Sequence, residues 1–337
     1  MTIRRLACII IPVVIALIFA GCGLVNYRVP QNEDNIPEQG AQQPGGSIPI
    51  DPHAQARERQ IVLYFKHEIA DLLVPEIRKV VQETQTIEQL IVEELLKGPQ
   101  KFERRSVMPK GTSLIDVTRR GDTVFVNLTK EYLNPVDLST LPGKEAVSPE
   151  NIPSVQAEMK RLSVYSIVHS LTYLDGVNQV KLLVDNRQLS YEEMGTELLL
   201  ESNSSLSPSS PMLAVKRNKA YNLTPAKTVE YVLNQLAGEP DWDKVYLFLS
   251  DQTMDGNQLP PLDEFKSRMP AMVGGFIEFE GNPVLDEEIT IGKAFVAVKY
   301  IIRTTEPKTE IQDVLTVDNK LDGIWKVRLP NFLTQLR

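Results

Sequence analysis

Apolar residues recur with two different spacings in the part of the chain that follows residue 58. Short runs that alternate with polar residues predict strands, and apolar positions three and four apart predict helices. Between residues 59 and 200 the order is strand, helix, strand, strand, helix, strand. Two helices that cover one face of one sheet give a two-layer α+β sandwich, which is the fold class predicted for this region.

The individual elements of this first domain follow from local signals. Residues 61–66 predict a buried strand, and Thr86 predicts the cap of a helix that stops at Gly98-Pro99. A hairpin closed by glycine is expected over 113–128. A long helix capped by Ser154 and a last strand over 178–185 complete the domain.

Residues 219–337 predict a second domain in which helices precede strands. Thr224-Pro225 is a helix start with proline at the first helical position. Two shorter helices are expected near 241–249 and 262–269. The predicted strands are 276–280, 294–304, 310–317 and 323–329, the last opened by the hairpin signal Asp322-Gly323. Helices followed by a curved antiparallel sheet predict an α+β cone.

Two further segments carry no apolar periodicity. Residues 22–58 are rich in Pro, Gln, Asn and Gly, which predicts a flexible tether. Residues 201–218 are rich in Ser and Pro, which predicts a linker between the domains. The predicted folded domains therefore span 59–200 and 219–337.

Residues 1–21 are typical of an export signal. Arg4 and Arg5 precede an apolar run of about fifteen residues. This run is shorter than the roughly twenty residues that a transmembrane helix needs. Ala20-Gly21-Cys22 resembles the lipobox of bacterial lipoproteins, which implies that Cys22 carries the lipid, including palmitate-type acyl chains, and becomes the new N-terminus.

The lipobox resemblance predicts a protein anchored to the extracytoplasmic side of the cell membrane. The alternative is an ordinary secretory signal in which Cys22 is incidental. Two acyl chains are sufficient for stable anchoring, so attachment needs no basic patch.

Net charge narrows the choice of partners. The chain has 36 Lys and Arg against 44 Asp and Glu, a net charge of −8 at pH 7. Removing Arg4 and Arg5 with the signal segment takes this to −10, since −8 less two positive charges is −10. Nucleic acid is therefore excluded as an expected partner, because its binding depends on a Lys/Arg surface.

Catalytic and metal-binding patterns are not found in the sequence. The three histidines, His53, His67 and His169, have spacings that suit no common metal site, and a structural or surface role is expected for each. No GxSxG, HExxH, Walker or GxGxxG motif occurs. We therefore expect neither an enzyme nor a cofactor, although distant residues that converge remain an alternative.

Four blocks of the first domain resemble the GerMN domain of bacterial sporulation and spore-germination lipoproteins. They are residues 92–99 (VEELLKGP), 108–112 (MPKGT), 121–128 (GDTVFVNL) and 176–185 (GVNQVKLLVD). The resemblance implies an extracytoplasmic domain without catalysis, similar in fold to ring-building motifs. The chain carries one such region, whereas the protein that names the family has two, so ring assembly does not follow.

The second domain resembles the NTF2-like superfamily over residues 224–236, 241–250 and 323–329. Folds of this kind often enclose a pocket behind the sheet. The residues that could line it are Trp242, Tyr246, Phe265 and Trp325. The alternative is that these side chains only fill the cone.

These patterns lead to three hypotheses about function. The first is a lipid-anchored binding or scaffolding protein that contacts envelope proteins or peptidoglycan, with exposed residues such as Lys66 and Lys181 on a sheet edge and with a homo-oligomer as an open alternative. The second is a sensor that holds a small molecule or cell-wall fragment in the C-terminal pocket. The third is a peptidoglycan hydrolase.

Overall fold

A computed structural model of the chain describes residues 56–144, 147–200, 205–269, 276–303, 310–319, 323–330 and 333. These residues combine helices with several sheets, which confirms the predicted α+β class. The predicted signal segment, Cys22, nearly all of the tether and Asp322 lie outside the described residues.

The first half opens with a hairpin of two long strands. β1 (Arg57–His67) pairs antiparallel with β2 (Leu73–Gln82), and the short β3 (Arg104–Arg105) pairs with the other side of β1 at its end. The sequence predicts β1 but not β2. Pro75 argues against a strand, and the charged Glu76 and Arg78 are both buried, so the apolar alternation is lost.

Two helices follow as predicted. α1 (Ile87–Leu96) is capped by Thr86, whose side chain accepts from the backbone N of Gln89. α2 (Ile152–Leu171) begins two residues before Ser154, so the predicted cap at Ser154 is wrong, and Asn151 is the N-cap. The face of α2 that carries Met159 and Leu162 is buried, as the apolar periodicity predicts.

The remaining strands of this half form a second sheet instead of joining the first. β4 (Leu114–Arg120), β5 (Thr123–Leu128), β6 (Gln179–Val184) and β7 (Val215–Lys216) lie in that order across it. β4 and β5 form the predicted hairpin, turning at Gly121 with a φ of +62°. The predicted single sheet is therefore two, because β1 takes β2 as its partner.

The free side of β1 is closed by α2. The backbone N of Tyr64 donates to Ser170 Oγ at 2.9 Å, and Ser166 Oγ donates to the backbone O of Tyr64 at 2.5 Å. Pro75 lies opposite Tyr64 in β2. Because both backbone groups of Tyr64 face away from β2, the missing N–H of Pro75 leaves no bond unmade.

The described part of the predicted linker packs on the first half. The short helix α3 (Tyr191–Met194) precedes it, and Ser190 bridges to Pro211. Met212 is buried, and its backbone N donates to the O of Leu189 at 2.9 Å. Residues 205–216 are thus held by backbone pairing as well as by packing.

The second half begins with α4 (Pro225–Ala237), α5 (Trp242–Tyr246) and α6 (Leu262–Arg268), with β8 (Leu249–Thr253) between the last two. Thr224 caps α4 through its side chain, as predicted, and Asp241 caps α5. The helix expected near 241–249 ends at Tyr246, and Leu249 begins β8 instead. α4 buries its predicted apolar stripe against the sheet.

The sheet of this half contains the predicted strands and two more. Its members after β8 are β9 (Ile277–Glu278), β10 (Val284–Thr290), β11 (Lys293–Ile302), β12 (Glu310–Asn319) and β13 (Trp325–Leu329). The order is β10-β11-β12-β13-β8, with β9 also paired to β11. β8 runs parallel to β13, so the expected antiparallel sheet is mixed at this edge.

Two hydrophobic cores result, and the turn of the first hairpin reaches from one to the other. Leu73 belongs to the first core, whereas its neighbour Val74 and nearby Ala70 belong to the second. Lys326 Nζ, which is almost fully buried, contacts Glu103 Oε2 at 2.5 Å across the same junction.

Candidate functional site

Three of the four aromatic residues predicted to line a pocket lie together in the second core. Phe265 is fully buried and meets Trp242 edge-on, with ring centroids 5.6 Å apart. Tyr246 lies 5.4 Å from Phe265, and its hydroxyl donates to the O of Pro260 at 3.0 Å. Trp325 lies on β13, opposite Asn319, and packs partly buried against the same core.

This arrangement fills space between α5 and α6. Phe265 also contributes to the wall of a cavity of about 340 Å³ that reaches Thr253 and Leu329 at the ends of β8 and β13. A ligand site made by these aromatic residues stays a prediction.

A larger cavity, about 630 Å³, lies where β9 and β10 leave β11. β11 pairs with β10 as far as Val298 and with β9 from Ile301, so a gap opens between the two partners. The residues around this gap are Glu278, Phe279, Glu280, Asn282, Leu285, Lys299, Tyr300, Ile301 and Glu310. The volume suits a small molecule.

The walls of this cavity, hereafter the β9–β10 cavity, combine apolar surface with ion pairs. Lys299 Nζ lies 2.8 Å from Glu310 Oε2, and Arg303 Nε lies 3.5 Å from Glu278 Oε2. Leu285 supplies exposed apolar surface. Such a lining can hold a polar molecule that has one apolar face.

Lys66 and Lys181 were expected to be exposed on a sheet edge, and this prediction is wrong. Lys66 is fully buried at the end of β1, where its Nζ donates to the O of His67 at 2.9 Å and lies 3.2 Å from Asp71 Oδ1. Lys181 is buried because β7 and the linker cover β6, and its Nζ donates to the O of Met212.

The two histidines of the described region are buried in apolar and cationic surroundings. Burial, together with the nearby Lys326 and Lys66, lowers the pKa of His67 to about 3. Burial and Arg217 lower the pKa of His169 to about 3. Both side chains are therefore neutral at pH 7, consistent with the structural role expected for them.

Each of these histidines uses one ring nitrogen within the protein. His67 Nδ1 accepts from the backbone N of Ala70 at 3.1 Å, and His169 Nε2 accepts from the backbone N of Asn218 at 3.4 Å. No group of three metal-binding side chains occurs within the described residues. His53 lies outside them.

A row of cationic and aromatic side chains along α2 and just beyond its end was missed in the sequence. Arg161, Tyr165, His169 and Tyr173 recur every four residues. The first three lie on one face of α2, and Tyr173 comes two residues after its end at Leu171. This spacing was the available signal. Tyr221 stacks on Tyr165 with centroids 4.2 Å apart.

The linker supplies the other side of this row. Arg217 lies over the ring of Tyr64 at 5.0 Å and that of Tyr173 at 5.8 Å. Its Nη2 donates to Tyr64 Oη at 2.5 Å. Arg161 lies over the ring of Tyr221 at 4.8 Å. Segment 215–221 is therefore clamped along α2.

The helices in the described ranges include none that is long and apolar enough to span a bilayer. A model of the Germane family, described as sporulation and spore germination, matches residues 62–190. The predicted GerMN resemblance is confirmed for these residues. The NTF2-like resemblance of 219–337 stays a prediction.

Two solved structures similar to this chain come from the sporulation protein GerM of Bacillus subtilis. The tandem GerMN domains are 15% identical, with a TM-score of 0.32, and the match covers 54% of this chain and 50% of that one. The first GerMN domain is 16% identical, with a TM-score of 0.27, and the match covers 39% and 86%. The chain thus spans half of the tandem-domain structure. No curated protein matches the chain.

Proposed function

We propose that this protein is a lipid-anchored binding or scaffolding protein of the cell envelope that acts in sporulation or spore germination without catalysis. The observation that carries this is the match of residues 62–190 to the sporulation and spore-germination family. The lipobox-like Ala20-Gly21-Cys22 supports an anchor on the extracytoplasmic side of the cell membrane. Envelope proteins or peptidoglycan are the proposed partners.

The burial of several titratable side chains supports a function in binding instead of catalysis. His67 and His169, whose pKa values are lowered by burial, are enclosed by the fold. Lys160 is also buried, and its amine donates to the O of Tyr132. Burial lowers the pKa of Lys160 to about 8. None of these groups lines either of the two cavities described above, so we assign them to stability and assign binding to the surface.

The anchor is tested with the two cysteines of the chain. Cys22→Ser should abolish incorporation of labelled palmitate and release the protein from the membrane fraction. Cys8→Ser is the matched control, because Cys8 lies in the segment predicted to be removed. Equal membrane retention of both variants would contradict the anchor.

The biological role is tested by deleting the gene in the source organism and restoring it. Loss of heat-resistant spores or slowed germination is expected in the deletion strain, and the wild-type chain should restore both. Normal sporulation and germination in the deletion strain would contradict the role.

The β9–β10 cavity favours a second candidate function, a sensor of a small molecule or cell-wall fragment. A ligand at 100 times its dissociation constant should stabilise the fold by about 2.7 kcal/mol in a thermal-shift screen. Leu285→Arg should remove the shift, because Leu285 lines the cavity and is exposed. Ile115→Arg, at an exposed site on β4, is the control. A shift that survives Leu285→Arg would place the ligand elsewhere.

A further inference from the structure

Residues 216–219, at the end of β7 and directly after it, carry three positive charges. Lys216 and Lys219 are exposed, and Arg217 is half-buried. Among the described residues no carboxylate forms an ion pair with any of the three. On a chain with a net charge of −8, such a run is a local exception.

An exposed aromatic ring lies beside these charges. Tyr173 is 55% exposed, and its ring packs against the Arg217 guanidinium. The same guanidinium lies 5.0 Å from the ring centroid of Tyr64, and its Nη2 donates to Tyr64 Oη. The other N–H donors of its planar fork can bind a carboxylate or phosphate.

The arrangement is held in place before any ligand arrives. β7 pairs with β6, the backbone N of Asn218 donates to His169, and Tyr221 stacks on Tyr165. The conformational entropy that these side chains lose when a ligand binds is therefore small. The Asp122 carboxylate accepts hydrogen bonds from Asn178 and Thr123, which lower its pKa, and the charge of Lys216 adds to this effect.

We infer that Tyr173, Lys216, Arg217 and Lys219, the tyrosine–cation patch, bind an anionic glycan of the cell wall. The C–H face of a sugar ring would pack on Tyr173, since it is apolar. Its phosphate or carboxylate substituent would be bound by Arg217 and the two lysines. This inference rests on the proposed function, to which it adds the class of partner.

An acidic peptide is the competing partner. Extended peptides are usually held by a free strand edge or by pockets for alternate side chains. β7, which contains Lys216, is an edge strand, but its two residues offer little backbone for such a peptide to pair with. The described cavities do not include the patch. One flat ring beside a cluster of cations fits a sugar with an anionic substituent better.

The test is co-sedimentation of the full-length, detergent-solubilised protein with cell-wall sacculi. Lys216→Gln with Lys219→Gln should weaken binding about tenfold, and Tyr173→Ala should weaken it comparably. Lys110→Gln with Lys130→Gln removes the same charge from exposed sites of the same half and should leave binding within about twofold. Similar losses for both lysine pairs would overturn the inference.

Three further arms separate the possible anions and partners. Sacculi stripped of phosphodiester polymers with hydrofluoric acid should lose binding if phosphate is the anion, and retain it if peptide-linked carboxylates are. Either result supports the inference, provided that the substitutions in the tyrosine–cation patch weaken whatever binding is observed. Polyglutamate that displaces the protein as well as soluble wall polymer does would assign the patch to acidic peptides and overturn the inference.

Failure here is distinguishable from failure of the anchor. Absence of binding to any sacculi, with Cys22→Ser still releasing the protein from membranes, would overturn the glycan inference alone. Membrane release and sporulation are measured without reference to the patch.

Discussion

The two halves of this molecule differ in how their cores are completed. The first core is made of residues between Ile61 and Met212, with Tyr221 packed at its edge. The second, drawn mainly from residues after Leu223, also needs Ala70 and Val74 from the first hairpin. One half therefore completes its core from its own segment, whereas the other borrows from a hairpin some 150 residues earlier. A linker rich in serine and proline does not by itself mark where packing stops.

The largest expected effect comes from adjacent residues that serve different cores. Leu73→Ala should destabilise the first core by about 2–5 kcal/mol, and Val74→Ala should destabilise the second by about 1–3 kcal/mol. Both tryptophans, Trp242 and Trp325, lie in the second half, so their fluorescence reports on that half and far-ultraviolet circular dichroism reports on the whole. If the halves unfold together, Leu73→Ala shifts both signals equally in urea. If Leu73→Ala leaves the urea midpoint of tryptophan fluorescence unchanged, the two halves unfold independently.

A smaller effect is expected from the charged contact across the junction. Lys326→Met leaves Glu103 and the O of Leu247 without their donor and should cost about 1–3 kcal/mol in free energy of unfolding. Lys299→Met, which removes a half-exposed ion pair inside the second half, is the control and should cost about 0–1 kcal/mol.

A double-mutant cycle isolates the contact between Lys326 and Glu103. Lys326→Met combined with Glu103→Gln should show a coupling energy of about 0.5–3 kcal/mol. Additive effects of the two substitutions would mean that the junction does not depend on this pair.

Acid should weaken the fold through the two buried histidines. Their pKa is about 3 when folded against about 6.5 when unfolded, so the unfolded chain binds more protons and stability falls as the pH drops below 6.5. Each histidine contributes a slope of about 1.4 kcal/mol per pH unit. Between pH 6.5 and 5 few carboxylates titrate, so this window isolates the histidines.

His67→Gln should remove one of the two histidine contributions to this slope, and His169→Gln the other. Denaturant melts at several pH values measure both. Because His67 packs on Phe248 at the junction and His169 lies in the first half, equal slope losses would show that both halves share one unfolding transition. A slope unchanged by either variant would contradict the buried, neutral state.

The last comparison is a difference between two glycine variants, one of which lies at the junction. Gly323 has a φ of +89°, and a Cβ there would lie 2.8 Å from Pro75 Cγ. Gly323→Ala should cost about 1–2 kcal/mol from the left-handed backbone, with a further loss from the contact with Pro75. Gly292→Ala shares the backbone conformation but meets nothing within 4 Å, so the difference in thermal unfolding between the two measures the contact. Equal losses would contradict a close approach.

Local signals predict much of this fold. Thr86, Thr224 and Asp241 cap helices because a side-chain oxygen reaches a backbone N–H within the same turn. The β4–β5 hairpin follows in the same way from Gly121 and its flanking alternation. Such features depend on neighbours in sequence, so one sequence suffices to predict them.

Features that depend on distant partners escape prediction. β2 was missed because Pro75 is acceptable only once α2 bonds the backbone of Tyr64. The buried pair of Arg78 and Glu76 is acceptable only once Glu94 accepts from Arg78. The sequence suggests that Lys66 is exposed, because its burial depends on the hairpin turn that packs over it. Exposed β10 has no apolar face to reveal it.

The candidate sites follow the same rule. Phe265 and Trp242 are in ring contact, and α5 and α6, which carry them, are close in sequence. The β9–β10 cavity joins residues from three strands, and the tyrosine–cation patch joins α2 to the linker. Neither grouping exists before tertiary contacts form.

The hairpin that serves both cores also sets an order of assembly. A chain that emerges from its N-terminus exposes Ala70 and Val74 until everything up to β13 has been delivered. A product truncated after the Ser/Pro-rich segment would keep the residues of the first core. Its hairpin turn would expose the apolar side chains of Ala70 and Val74. Such a fragment should aggregate and be degraded readily, so a stable product requires synthesis of the strands of the second half.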